Sequence, residues 1–364
     1  MTIFFVLAAL LLLGVMVLVH ELGHFLAARM TGIPVKGFGI GFGPRIKTWK
    51  GKKHETEYVW RLIPAGGYCS FYGEDDPDAD KKNDPRALNN HAVWKRMLTI
   101  VMGPVMNFVL AFTVACVIFM VMGETVGVDY GYVHIESVVA GSAAEESGIV
   151  PGDKIIKING EDMRGLASDG ESFKALYMID TFEEGDAPLQ MTVVRDGVEA
   201  DLFVTPRMDA LENRMMVGIS CRIEASAVKE NCSLPRAMYL SGDYCLTTAT
   251  LILDALKGLV TTGEGLDETG GPVRIIETIS MATRDYGFLA YLEMLIVISV
   301  NLGLVNLLPI PGLDGSRIVF LAIEGIFRKP VPRNIEAYIH LAGYLLLFGV
   351  LIFFTYRDVI HLFK

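Results

Sequence analysis

The segment VLVHELGHFLAAR, residues 17–29, places two histidines and a glutamate after sixteen residues without charge. His20 and His24 are four positions apart, so on a helix they share one face, where two neutral imidazoles can bind one zinc ion. Glu21 adjoins them and could take a proton from a zinc-bound water, the HExxH arrangement of zinc-dependent peptide hydrolysis. Chance is the alternative, but a carboxylate within an apolar span costs roughly 2.5–3.5 kcal/mol and is rarely idle.

A hydrolytic zinc site uses three protein ligands and leaves one position for water. The third ligand must come from another segment at similar depth, and the candidates are Asn107, His340 and Asp314. Asp314 follows a Pro-x-Pro break and is the only carboxylate between Glu293 and Glu324. A helix cap is the alternative role for this aspartate. We favour Asp314 as the ligand because the two histidines need a partner.

The composition predicts a membrane protein. The chain has 364 residues, of which 52% are hydrophobic, and its mean hydropathy is +0.41, which is too apolar for an ordinary soluble protein. A transmembrane helix needs about 20 mostly apolar residues, and four segments qualify: 1–25, 97–122, 288–311 and 337–355. The first has neither a basic start nor a small-residue cleavage site, so we interpret it as a span and not as a signal peptide.

Charge predicts the orientation of these spans and excludes a nucleic-acid role. Thirteen Lys and Arg lie between Arg29 and Arg96, and further basic residues separate the third and fourth spans. Because basic loops stay cytoplasmic, both termini and residues 123–287 should be extracytoplasmic. The net charge of −10 and the lack of a basic stripe argue against nucleic-acid binding. The five cysteines show no CxxC spacing and indicate no metal cluster.

The extracytoplasmic region divides into two patterns. Residues 126–206 alternate short apolar runs with turns, which predicts strands. Residues 234–281 have helical spacing interrupted by Asp243 and Asp254, which predicts an amphipathic helix on the membrane surface. The predicted domains are therefore 1–125 with two spans and a cytoplasmic membrane-associated β region, 126–206, an amphipathic helical region at 207–287, and 288–364 with two more spans.

Three motifs in this order, HELGH, MGPVMN (102–107) and NLLPIPGLDG (306–315), resemble the site-2 protease family of intramembrane zinc metalloproteases, in particular its bacterial RseP and RasP type. The resemblance extends to GFGIGFGP (37–44), LIPAGGYCSFYGED (62–75) and GGPVRII (270–276). It implies a polytopic α-helical membrane protein with four transmembrane helices, a membrane-reentrant β-hairpin region and one extracytoplasmic PDZ domain of α+β type. It also implies that His20, His24 and Asp314 bind zinc and that Glu21 is catalytic.

The resemblance further implies a substrate role for Asn306, Pro309 and Pro311. Backbone beside prolines cannot be fully helical, which leaves carbonyls and an Asn side chain able to pair with an unwound substrate. A plain proline kink is the alternative. Alternating Phe38, Ile40 and Phe42 predict a β-hairpin that dips into the membrane and pairs with a substrate strand, or one that is only structural.

Residues 141–163, GSAAEESGIVPGDKIIKINGEDM, resemble a PDZ domain, present here as the single copy assigned to 126–206. Its binding loop is expected near residues 130–133, although YGYV fits such a loop poorly. Strand addition of a peptide is one role for this domain. Exclusion of bulky substrates from the site is the other.

The sequence thus predicts a zinc endopeptidase of the bacterial inner membrane that acts in regulated intramembrane proteolysis. Its expected substrates are single-span membrane proteins, cut within or near their transmembrane segments: anti-sigma factors pretrimmed by a site-1 protease, or signal-peptide remnants. A catalytically inactive PDZ scaffold and a metal transporter are the alternatives. The intact HExxH glutamate argues against the first, and we find no internal repeat of the kind that many transporters contain.

Overall fold

The computed structural model describes residues 3–51, 55–73, 84–168, 178–179, 181–183, 185–209, 214–263, 265 and 270–362. These residues form two compact units. The first combines the chain up to Ile118 with Leu234–Lys364, and the second is Phe119–Ser233. Long helices dominate the first unit, and a β-sheet dominates the second.

Within the described residues, four helices are long and apolar enough to cross a membrane, as the sequence predicts. They are α1 (Ile3–Thr31), α2 (Val93–Met122), α5 (Pro272–Leu307) and α7 (Arg333–Leu362). α5 begins well before its predicted start at residue 288 and bends at Gly287, whose φ of 80° is not helical. It ends at Leu307 because Pro309 and Pro311 follow, and a residue before proline is biased away from helical geometry.

Two further helices belong to the first unit. α6 (Asp314–Phe327) occupies most of what the sequence predicts as a plain connection between the last two spans. α4 (Leu234–Thr261) forms where an amphipathic helix is predicted. Tyr244 and Ile252 of α4 pack against a cluster that contains Val300 of α5 and Ala115 of α2.

The core of the helical unit surrounds α5. Leu12 and Met16 of α1 pack with Leu295 of α5 in one buried cluster. Ala111 of α2 packs with Ile296 on another side of the same helix. α5 therefore lies against both α1 and α2.

The strands β1 (Val35–Lys50) and β2 (Glu57–Phe71) form the predicted hairpin. Both bend, at Gly41 and Gly43 in β1 and at Gly66 in β2, where φ is between 85° and 89°. Because of these bends the segment 37–40 pairs on both sides, with 57–60 and with 67–70. The motif GFGIGFGP therefore does not provide a free strand edge at 37–40, which corrects the expectation that this stretch pairs with a substrate.

The second unit contains a seven-stranded sheet in the order β11-β3-β4-β7-β8, with β5 beside β4 and β6 beside β3. Its strands are β3 (Glu124–Val138), β4 (Lys154–Ile158), β5 (Glu161–Asp162), β6 (Gly165–Ser168), β7 (Leu189–Arg195), β8 (Val198–Val204) and β11 (Ile219–Glu230). A short helix α3 (Ala143–Glu146) and a small hairpin of β9 (Arg207–Asp209) and β10 (Arg214–Met216) complete the unit. Its core includes Ile135, Ile155, Met191 and Val193.

Two expectations about this unit are wrong. The predicted helical region 207–287 begins with strands, and the first long helix there starts only at Leu234. Ile219, Cys221 and Ile223 alternate with polar residues and pack against the core of the sheet. This period of two is typical of a strand and not of a helix. Residues 130–133 are not a loop, because they belong to β3, where Tyr130 pairs with both Ala225 and Gly165.

The PGDK turn of the PDZ-like segment is fixed by a buried ion pair. Asp153 is fully buried, and its carboxylate accepts hydrogen bonds of 2.7 Å from Nε and Nη2 of Arg195 and one of 2.9 Å from the backbone of Val150. Burial alone would raise the pKa of this carboxyl, but these hydrogen bonds hold the pKa below its ordinary value. The ion pair between Asp153 and Arg195 therefore stabilises the turn before β4.

Candidate metal centre

α1 carries the HExxH residues in its C-terminal half. His20 and His24 lie on one helix face, and both are buried, with 7% and 6% of their surface exposed. Their rings meet edge to face with centroids 4.8 Å apart. Their Nε2 atoms are 3.2 Å apart, so both rings direct the same nitrogen to one point.

Asp314 supplies the third atom at that point. Its Oδ2 lies 3.0 Å from His20 Nε2 and 3.4 Å from His24 Nε2. Asp314 is the first residue of α6, and the N-cap position belongs to Leu313, so the alternative role as an N-cap does not apply. The Pro-x-Pro stretch ends α5, and the chain turns through Gly312, with φ of 98°, into α6.

The donor set fits zinc. One ligand atom from each of the three residues lies within 4.8 Å of the other two. Asp314 Oδ2 is buried and has no hydrogen-bond donor in the described part of the chain. A buried carboxylate oxygen without a donor is costly unless a cation satisfies it. Two imidazoles and one carboxylate are also the ligand types of catalytic zinc sites, which keep a further position open.

The other two candidate ligands lie outside this cluster. The Nδ2 of Asn107 faces the opposite nitrogen of His20, Nδ1, at 3.2 Å. His340 Nδ1 accepts a hydrogen bond of 3.2 Å from the backbone N–H of Gly312, two residues before Asp314. Both residues therefore support the cluster from outside.

Close approach of α1 and α2 depends on two glycines. A Cβ at Gly23 would overlap the carbonyl of Met102, and a Cβ at Gly103 would overlap the His24 ring. Across this contact His24 Nδ1 lies 2.9 Å from the carbonyl oxygen of Thr99. The MGP part of the MGPVMN motif thus places a backbone acceptor against one metal ligand.

A polar cavity of about 240 Å³ opens at the cluster. The three candidate ligand residues line it with Glu21 and Asn306. Further lining residues, which the sequence did not single out, include Cys69, Phe71, Arg317 and Tyr344. Pro309 and Pro311 do not line it. Asn306 Nδ2 donates to Leu302 O of its own helix at 2.9 Å, which leaves the amide oxygen as the group available to other partners.

The second half of β2 passes beside Glu21. A Cβ at Gly67 would lie 3.5 Å from Glu21 Cγ, and the backbone of Cys69 hydrogen-bonds to Glu21. Within the described pairing, 67–70 has a strand partner only on the side of 37–40. Glu21 therefore lies between the metal ligands and a strand edge.

Comparison with known proteins assigns this chain to a family. Residues 8–350 match the model of peptidase family M50. The chain is 33% identical to a protein of Nostoc sp. over 98% of this chain and 96% of the relative. It is 31% identical to a protein of Clostridium acetobutylicum over 99% of each chain. It is 32% identical to a protein of Synechocystis sp. over 100% of this chain and 96% of the relative. Each of these relatives is named as a candidate zinc metalloprotease. The chain belongs to peptidase family M50 and is a membrane zinc metalloprotease.

Proposed function

We propose that this enzyme cleaves single-span membrane proteins within or near their transmembrane segments, as in regulated intramembrane proteolysis. The observation that carries the proposal is the position of the site within α1. His20 lies seventeen residues after Ile3, which at 1.5 Å per residue is about 26 Å along the helix. Since the hydrocarbon core of a bilayer is about 30 Å thick, an α1 that spans the membrane carries the site below the membrane surface.

In this proposal His20, His24 and Asp314 hold the zinc ion. A zinc ion bound there would act as a Lewis acid, which polarises a scissile carbonyl and lowers the pKa of a water molecule. Glu21 accepts the proton of the attacking water and later delivers it to the leaving amine nitrogen. Its contact with the backbone of Cys69 orients its carboxylate toward the cavity.

A substrate helix must unwind before its carbonyls can be attacked, and the proposal gives this task to two groups. The strand 67–70 passes beside Glu21 and pairs with 37–40 along one side, so an unwound segment can lie along its other side, next to the contact between Cys69 and Glu21. The amide oxygen of Asn306 offers one more acceptor in the same cavity. Pro309 and Pro311 act indirectly, because they end α5 and thereby keep Asn306 at the helix terminus.

The second unit is proposed to be a PDZ domain that extends beyond 126–206. One edge strand of its sheet is β11, which pairs with β3 and follows Gly218 with φ of 79°. A peptide that binds by strand addition would use this edge, instead of residues 130–133. Exclusion of bulky extracytoplasmic domains is the other role compatible with the same fold.

The proposed location is the bacterial inner membrane, with both termini and the second unit extracytoplasmic. Support comes from the thirteen Lys and Arg between Arg29 and Arg96, because basic loops remain cytoplasmic. The proposed partners are single-span proteins already trimmed by a site-1 protease, such as anti-sigma factors, or signal-peptide remnants. No nucleic acid is expected to bind.

The test is a Glu21→Gln variant reconstituted in liposomes with a single-span reporter. We expect wild-type enzyme to cut the reporter inside its transmembrane segment, as mapped by mass spectrometry of both fragments. The variant should keep one zinc ion per chain and lose cleavage by at least about 100-fold, the scale of a general base. Cleavage only in the soluble part of the reporter, or an unaffected variant, would contradict the proposal.

A further inference from the structure

The hydrogen-bond partners of the two histidines indicate which ring nitrogen of each carries the proton. His24 Nδ1 is 2.9 Å from the carbonyl oxygen of Thr99. A carbonyl oxygen only accepts, so Nδ1 of His24 carries the proton and Nε2 presents a lone pair to the metal position. A backbone group therefore holds His24 in the tautomer that binds a metal.

The partner of His20 is different. Its Nδ1 lies 3.2 Å from Nδ2 of Asn107, and an amide nitrogen only donates. With the Asn107 amide in this orientation, His20 Nδ1 accepts the bond and the ring proton lies on Nε2, which faces His24 Nε2 at 3.2 Å. In this arrangement the proton of His20 occupies the nitrogen that faces Asp314.

Asn107 is left with an unpaired acceptor. The residue is fully buried, and its Oδ1 has no hydrogen-bond partner among the described residues. Its backbone carbonyl accepts a hydrogen bond of 2.9 Å from Ser299 Oγ of α5, so the main chain at this position is held. The side-chain amide is thus the one part of Asn107 that can reorient by rotation.

A metal on Nε2 of His20 takes the lone pair of that nitrogen, so the ring proton must move to Nδ1. Nδ1–H and the Asn107 NH₂ would then be two donors facing each other. A half-turn of the amide exchanges Nδ2 and Oδ1, which removes the conflict and gives the unpaired oxygen a donor. We propose that Asn107 is a positioning residue that makes this turn and holds His20 in its metal-binding tautomer.

This inference rests on the proposed role of His20 as a zinc ligand. The experiment measures zinc affinity by competition with a chelator for Asn107→Leu and Asn107→Asp. We expect a loss of about 10- to 100-fold for Asn107→Leu, the scale of outer-shell partners of zinc-bound His. Asn107→Asp should stay much closer to wild type, because a carboxylate also accepts from Nδ1–H. Ser280→Ala serves as the control, since Ser280 is buried in α5 but bonds only its own helix.

Wild-type affinity in Asn107→Leu, or equal losses in the Leu and Asp variants, would overturn the positioning role. His20→Ala separates this failure from failure of the ligand assignment. If His20→Ala itself keeps wild-type zinc affinity, His20 is not a ligand and the proposed function of this residue fails.

A second measurement needs no substitution. In protein with ¹⁵N-labelled histidine, ¹⁵N spectra report which imidazole nitrogen carries the proton. We expect the proton of His20 on Nε2 after zinc removal and on Nδ1 after zinc is restored, while His24 keeps its proton on Nδ1 in both. A His20 proton that stays on Nδ1 in both samples would refute the switch.

Discussion

Gly103 sets how closely the two histidine rings of the candidate metal centre can pack against α2. A Cβ built on this residue overlaps the His24 ring and lies 3.0 Å from His20 Nε2. Both rings are buried and converge on Asp314, so neither can move aside without leaving that point. The glycine at position 103 of α2 therefore leaves the space that the two histidine rings occupy.

We predict that Gly103→Ala lowers zinc affinity by at least about 10-fold, because the added methyl group displaces His24 from its place beside Asp314. The measurement is chelator competition on purified protein. Gly349→Ala in α7 is the matched control, since a Cβ there meets nothing within 4 Å. Equal zinc affinity in both variants would show that the rings tolerate the methyl group.

The convergence of His20, His24 and Asp314 could be predicted from the sequence, but the groups that contact these residues could not. His20, Glu21 and His24 are local to one helix, so spacing alone brings them together. Asp314 could be found because few polar residues occur at its depth. The carbonyl of Thr99 has no sequence signature, since every residue has one, and Asn107 is recognisable as polar but not as the partner of His20 Nδ1.

At the scale of elements, α7 holds α5 near both of its ends. Near the C-terminal end of α5, Gly312 donates to His340. At the other end, Asp358 of α7 accepts hydrogen bonds of 3.0 Å from the backbone N–H groups of Gly271 and Arg274. Asp358 therefore serves as an N-terminal cap for α5 from a distant part of the chain. The same contact requires the second glycine of the GGP motif, because a Cβ on Gly271 would collide with Asp358.

We predict that Asp358→Ala destabilises the protein by about 1–2 kcal/mol, the usual value of a lost cap, and lowers the melting temperature in detergent by several degrees. Zinc content should not change, because the cap lies at the end of α5 away from Asp314. Asp285→Ala on the same helix is the control: Asp285 pairs with Arg284 at the surface and should matter little. An unchanged melting temperature in Asp358→Ala, or loss of zinc, would contradict this role.

Element type was easier to predict than element pairing. Alternating Phe38, Ile40 and Phe42 correctly indicate a strand, since side chains alternate along any strand. Alternation does not tell which edge is free, because that depends on bends at Gly41 and Gly66 that fold each strand back on the other. The strand edge beside Glu21 thus belongs to GGYCS and could be located only from the register.

At the scale of the whole molecule, the candidate metal centre lies within one of the two units. His20, His24, Asp314 and Glu21 all belong to the first unit. The second unit is inserted between α2 and α4, and its first and last strands are neighbours, with Glu124 of β3 paired with Glu230 of β11. Chain entry and exit of this insertion therefore lie side by side, which makes its removal geometrically simple.

We predict that replacing 124–230 with a short Gly-Ser linker leaves a stable enzyme with one zinc ion per chain. A variant that lacks only 126–206, the domain bounds predicted from the sequence, should aggregate. In that variant β11 has lost its partner β3 and exposes Ile219, Cys221 and Ile223. The measurements are detergent-extracted yield, zinc content and cleavage of single-span reporters by both variants. If the second unit excludes bulky substrates, the 124–230 variant should cut a full-length reporter at least as fast as wild type. Loss of activity on a short, pretrimmed reporter, with zinc retained, would instead show that the unit docks substrates.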